Sequence, residues 1–340
     1  MLGGRLPPRR WSNTRTSTDL QSLDTAVSHE GLGQLIADNR ECLLGKFLGD
    51  SNLSEEKILD SLLATAKAQV SQGKGVVEFL EDDSAGKAVG IAVGEPAVWD
   101  SEHFRRRLGK VTLVAFDSIV GTGHRATVLH KLLTRLNVEM LFARVNMNDL
   151  LTIQALEREG AILTDVLVTF RYETSGKLPP SNSPGIHVGP SEPNENEELT
   201  RLASRIFTVD RFHGDPLLPK SKSDELYSKW VSNSLAGFAD AVLVARQAGK
   251  IAGFITCKVD KATPGCEHGI IDLVGVNPDF AGNGVGYELV RSAQEWFEPR
   301  VRSVYVGTQA ANTRATRLYT KSRFLPVCSE ATLHLWSLGS

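Results

Sequence analysis

The spacing of apolar residues in the second half of the chain predicts two helices. Leu199, Leu202 and Ile206 recur at intervals of three and four residues, which is the spacing of one helix face. A second helix is predicted around Trp230, and Ser223 could cap its N-terminus. Both helices precede a strand-rich stretch.

That stretch alternates apolar and polar residues and predicts a sheet. "AVLVARQAGKIAGFITCKV" indicates a hairpin with Gly249 in its turn. The strand "GIIDLVGV", a glycine-rich turn and a helix through Trp296 follow. "SVYVGTQ" is a further strand, residues 312–321 form a helix, and a last strand closes the unit. The pattern predicts a fold of the α/β (α+β) class with a mixed sheet.

Two segments of the chain repeat the same order of strand, polar turn, short helix and strand. They are "MLFARVNMNDLLTIQALEREGAILTDVLVTFRY" and "SVYVGTQAANTRATRLYTKSRFLPVCSEATLHLW". At one constant offset Asp149 corresponds to Asn312, and Leu156 corresponds to Tyr319. This correspondence indicates an internal duplication.

The domain boundaries follow from composition. "TSGKLPPSNSPG" collects proline, serine, asparagine and glycine, which favours a linker over an ordered element. We therefore predict a disordered leader over residues 1–25, a first domain over 26–173, a linker over 174–184 and a second domain over 185–340.

Charge and cysteine content restrict the class of protein. The 340 residues carry a formal net charge of -2, which gives no electrostatic reason to bind nucleic acid or an anionic membrane. No apolar run is long enough to span a bilayer. The four cysteines are scattered without metal-ligand spacing, so no metal site is predicted and a reducing cytoplasm fits best.

The stretch "VGVNPDFAGNGVGYELV" predicts a phosphate site. Gly282, Gly284 and Gly286 can adopt positive φ and let a diphosphate approach the amides at a helix N-terminus. The lysine of a P-loop is missing, and the turn comes too late in the domain for a Rossmann fold. The alternative is a tight turn that packs a helix on a strand.

Together with "NTRATRLYTKSRF", this stretch resembles the GNAT superfamily of acetyl-CoA-dependent N-acetyltransferases. Two residues depart from that family's pattern: Ala281 replaces an Arg or Gln, and Arg323 replaces a Gly. The resemblance implies tandem GNAT folds, each with a mixed, mostly antiparallel sheet flanked by helices. It also implies acetyl-CoA as the co-substrate.

A second resemblance covers more of the chain. "WDSEHF" and "FTVDRFHGDPLLPKSKSDELYSKWVSNS" are similar to parts of the dTDP-fucosamine acetyltransferase family, whose members are tandem GNAT enzymes. It implies that the N-terminal half is degenerate and that only the C-terminal half binds acetyl-CoA. The implied acceptor is the amine of a nucleotide-linked amino-deoxy sugar used for surface polysaccharide. The resemblance also allows a homodimer.

The resemblance implies cofactor contacts on one strand and one turn. The strand would bind the pantetheine arm, and the Val274 N–H would polarise the thioester carbonyl. The turn would hold the pyrophosphate, while Asn312 would contact the cofactor, cap its helix, or do both. The implied cofactor-binding residues are Leu273, Val274, Gly275, Val276, Ala281, Gly282, Asn283, Gly284, Val285, Gly286 and Asn312.

Two residues are candidates for catalysis. The phenol of Tyr319 could protonate the leaving thiolate as general acid. Asp272 could accept the proton of the amine, or it could form a structural ion pair. A base could also be unnecessary if a chain of water molecules carries the proton away. No cysteine lies near the motif, so direct transfer in a ternary complex is expected.

The segment "DRFHGDP" provides candidate acceptor contacts. Arg211 could bind a phosphate, Phe212 could stack on a ring or serve as a buried anchor, and His213 could relay a proton or be solvated.

Two other functions stay open. One is acetylation of a protein N-terminus or another small amine. The other is a non-catalytic acyl-CoA sensor, which the substitutions at Ala281 and Arg323 would permit.

Overall fold

One eleven-stranded sheet runs through the part of the chain that the computed structural model describes. The described residues are 30–82, 87–174, 176–178, 180–181 and 183–337. The predicted leader over 1–25 lies outside them, as do three positions of the predicted linker, 175, 179 and 182.

The N-terminal half carries five strands. They are β1 Val76–Asp82, β2 Lys87–Pro96, β3 Leu108–Phe116, β4 Met140–Asn146 and β5 Ile162–Glu173. Its described helices are α1 Glu30–Asp38, α2 Arg40–Leu44, α3 Glu55–Ser71, α4 Val98–Phe104, α5 Thr122–Leu136 and α6 Leu150–Arg158.

The C-terminal half follows the predicted order of elements. Its strands are β6 Ile186–Pro190, β7 Ala241–Gln247, β8 Lys250–Asp260, β9 His268–Val276, β10 Ser303–Gln309 and β11 Leu325–Trp336. Its helices are α7 Asn196–Ile206, α8 Lys220–Asn233, α9 Val285–Phe297 and α10 Thr313–Lys321. The start of α8 differs from the prediction, because the helix begins directly after Pro219 and Ser223 lies buried inside it, bonded to the Phe212 carbonyl.

The two halves exchange their last strands. The sheet order is β1-β2-β3-β4-β11-β5-β10-β9-β8-β7-β6, so β11 pairs with β4 of the N-terminal half and β5 pairs with β10 of the C-terminal half. Within the described sheet the pairs β3–β4 and β9–β10 are parallel and the others are antiparallel. The predicted mixed, mostly antiparallel sheet flanked by helices is confirmed.

The hydrophobic cores of the two halves reflect the exchange of β5 and β11. Ala331, Leu333 and Leu335 of β11 lie in the core that α5 covers in the N-terminal half. Phe170 and Tyr172 of β5 lie in the core that α9 and α10 cover in the C-terminal half. Each core therefore contains side chains from both halves.

The internal repeat is visible in the caps of two helices. Asp149 Oδ1 accepts a hydrogen bond from the Thr152 amide at the start of α6, at 3.2 Å. Asn312 Oδ1 accepts one from the Ala315 amide at the start of α10, also at 3.2 Å. The two residues aligned in sequence thus perform the same local task.

Candidate active site

A V-shaped opening between β9 and β10 defines the site. The two strands pair only from Val304–Gly269 to Val306–Ile271, and beyond that point they diverge. On its other side β9 stays bonded to β8, because Ile255 faces Val274 and Gly253 faces Val276. The diverging edge of β9 therefore presents backbone groups that can bind an extended ligand arm.

A cavity of about 1460 Å³ occupies this opening. It also extends across β5 and β11 to residues of the N-terminal half. Two of the predicted site residues, Asn283 and His213, are not among its lining residues. The predicted residues that do line it are Arg211, Phe212, Asp272, Leu273, Val274, Gly275, Val276, Ala281, Gly282, Gly284, Val285, Gly286, Asn312 and Tyr319.

The glycine turn at the start of α9 has the geometry of a phosphate cradle. Gly282 and Gly284 both have φ of +87°, and Gly284 is the N-cap of the helix. A Cβ at Gly284 would collide with the Ser183 hydroxyl, and one at Gly286 would lie 3.2 Å from Leu318 Cδ2. Amides in the first turn of a helix have no acceptor within it. Bare backbone at these positions therefore suits the diphosphate of a coenzyme.

Tyr319 is held at the edge of the cavity by other aromatic rings. Its ring centroid lies 5.7 Å from that of Phe170 and 6.0 Å from that of Phe324, and only 4% of the residue is exposed. Burial raises the pKa of the Tyr319 phenol. The side chain is therefore a neutral proton donor at physiological pH.

Asp272 lies where β9 leaves β10. Burial raises the pKa of its carboxyl, and the positive charges of Lys258 and Lys46 oppose that change. A carboxylate with a raised pKa is a better proton acceptor than an ordinary aspartate. Its position and its basicity both fit the predicted role of general base.

In the loop after α7, Arg211 was predicted to bind a phosphate of the acceptor. In the structure it is paired with a carboxylate of the chain instead. Arg211 Nη2 lies 2.6 Å from Asp100 Oδ2, and the guanidinium carbon lies 3.9 Å from the ring centroids of both Phe142 and Phe212. Arg211 Nη1 is buried without a hydrogen-bond partner. The arginine thus joins the two halves, with its charge balanced by Asp100.

His213 is held between two carboxylates. Its Nδ1 lies 2.6 Å from Asp210 Oδ2 and its Nε2 lies 3.0 Å from Asp224 Oδ1. Asp210 also accepts from the Phe212 and His213 amides. The histidine therefore stabilises the loop that forms one wall of the cavity.

The N-terminal half contributes lining residues that motif analysis missed. Lys46, Arg144 and Asp165 face the cavity from a 3₁₀ turn (Gly45–Phe47), from β4 and from β5. Trp99 lines it too and belongs to the "WDSEHF" stretch. Only that stretch carried a sequence signal, because the other residues reach the site through the strand exchange and the packing of the halves.

Two further observations concern the described part of the chain alone. None of its helices is both long and apolar enough to cross a membrane. Within the same residues, no group of three or more His, Cys, Asp or Glu side chains could hold a metal ion.

The geometry agrees with comparison to a known family. Residues 198–324 match the acetyltransferase (GNAT) family model. Residues 198–324 therefore form a GNAT acetyltransferase domain, which indicates an N-acetyltransferase. The matched range contains β9, the glycine turn and Tyr319.

Particular relatives extend the likeness beyond that range. The chain is 26% identical over 254 residues to the spore coat polysaccharide biosynthesis protein SpsD of Bacillus subtilis (strain 168), covering 73% of this chain and 84% of that protein. A GCN5-related N-acetyltransferase from Sphaerobacter thermophilus has a similar fold, with 16% identity, a TM-score of 0.58 and coverage of 97% of this chain and 96% of that one.

The fold is also similar to the glucosamine N-acetyltransferase region of a fungal multi-domain β-N-acetylglucosaminidase. The identity is 17% and the TM-score is 0.54, and the match covers 88% of this chain and 36% of that one. Both likenesses concern the fold.

Proposed function

We propose that the C-terminal half transfers acetyl from acetyl-CoA to the primary amine of a sugar, and that the sugar is linked to a nucleotide. The observation that carries the proposal is one continuous cavity. It connects the glycine turn and Tyr319 to a wall of aromatic and arginine side chains. The name of the SpsD relative, a polysaccharide biosynthesis protein, supports a sugar acceptor.

Acetyl-CoA would supply a thioester whose carbonyl carbon is open to attack. The turn from Ala281 to Gly286 would hold its diphosphate, and the free edge of Leu273–Val276 would bind the pantetheine arm. Asn312 uses Oδ1 for its cap, so its Nδ2 would donate to the cofactor. Asn283 does not line the cavity and would contribute only as the residue that joins Gly282 to Gly284 in the turn.

The roles of the reacting groups follow from their surroundings. The Val274 amide would donate to the carbonyl oxygen as negative charge develops on it. Asp272 would take the proton of the attacking amine, and Tyr319 would give its proton to the departing sulfur. The amine attacks directly, and no covalent acyl-enzyme is needed.

The acceptor wall fits a nucleoside diphosphate. Trp99, Phe207 and Trp230 line it and offer faces on which a base could stack. Arg144 and Arg205 are exposed there, and neither forms an ion pair with a described residue. These two arginines, rather than the paired Arg211, would bind the diphosphate. Phe212 and His213 would act indirectly, by shaping the wall.

The experiment is a panel of acceptors with the release of free coenzyme A thiol as readout. The panel contains a dTDP-linked amino-deoxy sugar, glucosamine, glucosamine phosphate and peptides with free N-termini. We expect the nucleotide-linked sugar to have the highest kcat/KM. Turnover on peptides alone would replace the sugar by a protein acceptor, and binding of acetyl-CoA without any turnover would favour a sensor.

A further inference from the structure

A lysine of the N-terminal half reaches the base of the V-shaped opening. Lys46 Nζ lies 4.8 Å from the ring centroid of Phe47 and 5.4 Å from that of Tyr305. Tyr305 in β10 pairs with Ile270 in β9, directly before the strands diverge. The lysine amine thus lies on the cavity wall near the point where β9 and β10 diverge.

The surroundings of Nζ are those of a site for a primary ammonium. Glu330, Asp260 and Asp272 act on it with negative charge, and Arg144 acts with positive charge. Two aromatic rings offer their faces, a contact that also favours an ammonium group. Among the described residues no hydrogen bond of Nζ is found, and Lys46 lines the cavity.

Burial changes the protonation of this amine. It lowers the pKa of Lys46, and the negative charge of Glu330 opposes part of that change. A neutral amine is the nucleophilic form, so its fraction at neutral pH exceeds that of a solvated lysine.

The amine lines the same cavity as the proposed carbonyl site at Val274. Its charge also interacts with that of Asp272, which is two residues before Val274 in β9, about 7 Å along a strand. Transfer would require a rotation of the lysine side chain that carries Nζ from the aromatic rings toward Val274.

We propose that Lys46 is a self-acetylation site, modified on Nζ by the acetyl-CoA bound to the same chain. The proposal rests on the cofactor site proposed above. The nitrogen lone pair forms a C–N bond with the thioester carbonyl carbon, and the C–S bond breaks. The proton lost by nitrogen passes to Asp272, and Tyr319 protonates the thiolate. The products are acetyl-lysine and the thiol of coenzyme A.

The amine of a bound acceptor competes with Lys46 for the same thioester carbonyl. When such an acceptor is bound, Lys46 stays unmodified, because one amine at a time can reach the carbonyl. When acceptor is scarce, Lys46 reacts instead, and the loss of its charge changes the balance around Asp272 and Glu330. Acetylation of Lys46 therefore indicates that the active site holds acetyl-CoA but no acceptor.

The test uses the full chain, first treated with a lysine deacetylase and then incubated with isotopically labelled acetyl-CoA. Peptide mass spectrometry follows label at Lys46 and at Lys57, an exposed lysine of the same half. Label at Lys46 should appear at least about tenfold faster, because Lys46 lines the cavity proposed to hold acetyl-CoA and Lys57 does not. A rate equal to that of Lys57 would overturn the proposal.

Two variants serve as matched controls, with circular dichroism to check that each is folded. Lys46→Arg keeps the charge and should lose the label at this position. Gly286→Arg closes the cofactor cradle and should abolish label at Lys46 while leaving spontaneous label at Lys57. Persistence of Lys46 label in Gly286→Arg would mean spontaneous chemistry and would also refute the proposal.

A second readout does not depend on the loaded enzyme. A short pulse of a small acylating reagent, without acetyl-CoA, should modify Lys46 with a midpoint below the usual pH range of a lysine amine, because burial lowers the pKa of Lys46. Failure of this inference is separable from failure of the proposed function. If the sugar is acetylated but Lys46 is never labelled, only the self-acetylation is wrong, whereas label at Lys46 without turnover of any sugar refutes the acceptor alone.

Discussion

The two halves of the molecule have the same topology, and they differ at the position where a coenzyme would bind. In each half a parallel pair of strands diverges after three paired positions, β3 from β4 and β9 from β10. In each half a helix begins at the opening, α5 or α9. In the C-terminal half the opening is a cavity, and in the N-terminal half a side chain closes it.

That side chain is Arg125. The N-cap Gly121 of α5 corresponds to the N-cap Gly284 of α9, and the buried arginine, Arg125, lies about one turn after that cap in α5. Its Nη1 lies 2.8 Å from Asp149 Oδ1, and Asp149 corresponds to Asn312.

The same arginine also holds the turn between β3 and α5. Its Nε donates to the Val120 carbonyl at 2.9 Å, and its Nη2 donates to the Asp117 carbonyl at 3.2 Å. A guanidinium of the chain thus connects the two segments between which a diphosphate would lie in the other half. A phosphate site at the start of this helix therefore requires the absence of a large side chain as well as the glycines that are present.

The largest expected effect comes from separating the halves. Residues 185–340 produced alone would lack β5, and with it Phe170 and Tyr172 of the core. Loss of a large buried aromatic side chain costs about 3–5 kcal/mol, and two exceed the margin of many domains. We expect an insoluble or unfolded product by circular dichroism. Co-expression with residues 26–173 should restore a soluble complex, and a stable fragment without that partner would contradict the role of the exchange.

The next effect comes from placing a large side chain in the glycine turn of the C-terminal half. Gly286→Arg should weaken acetyl-CoA binding by at least about 100-fold, or roughly 2.8 kcal/mol, as measured by titration calorimetry. Gly286→Ala is the matched control, because its Cβ would meet Leu318 at 3.2 Å without filling the cradle. Equal affinity in parent and Gly286→Arg would show that the coenzyme binds elsewhere.

Tyr319 corresponds to Leu156 of the N-terminal half, which has no hydroxyl. Removal of the Tyr319 hydroxyl tests whether this difference matters for catalysis. Tyr319→Phe keeps the ring against Phe170 and Phe324 and should lower kcat by about 10²- to 10⁴-fold. The Kd for acetyl-CoA should stay unchanged. An unchanged kcat would assign the proton to water instead.

Asp272 should give the enzyme a pH dependence of both rate and stability. In Asp272→Asn, kcat/KM should fall by about tenfold or more and lose its rise with pH, because the base is gone. Burial raises the native pKa of this carboxyl above that of the unfolded chain. The parent therefore loses stability relative to D272N as the pH rises through the native pKa, and the two converge at lower pH, where the carboxyl is neutral in both states.

Thermal unfolding from pH 4 to pH 8 measures the stability difference between parent and D272N. Lys258→Met is a useful companion variant, because removal of that positive charge should move the rise in kcat/KM to higher pH. A parent and D272N pair with parallel pH profiles would argue against a buried titrating carboxyl at this position.

The smallest expected effect concerns Arg323, which has φ of +66°. Gly160 corresponds to it in the N-terminal half and has φ of +81°. Arg323→Gly should raise the free energy of unfolding by about 1 kcal/mol, because a residue with a Cβ is strained in this conformation. Denaturant titration measures it, with Arg317→Gly as a helix control that should destabilise. A destabilised R323G would mean that the bond from Arg323 Nη1 to the Lys177 carbonyl outweighs the strain.

Local features of the fold could be predicted from the sequence because they depend on neighbours in the chain. The hairpin around Gly249, the order of elements from β9 to α10 and the cap at Asn312 are of this kind. The strand exchange could not be predicted, because β5 and β11 both alternate apolar and polar residues, and that pattern does not specify which neighbouring strand each one pairs with.

The cofactor side of the candidate site could be predicted from the sequence, and the acceptor side could not. The cofactor side comes from one continuous stretch, so its motif was readable. The acceptor side combines Lys46, Arg144 and Trp99 with the loop at Arg211, and these are brought together only by packing of the halves. Sequence reasoning assigned Arg211 to a phosphate because the buried partner Asp100 lies 111 residues away.

The exchange also determines when the N-terminal half can finish folding during synthesis. Strand β4 has its antiparallel partner only once residues 325–336 have left the ribosome. Until then the nascent chain presents an unpaired apolar edge, which is prone to aggregation. The order of translation therefore makes chaperone contact at β4 a natural step in the biogenesis of this protein.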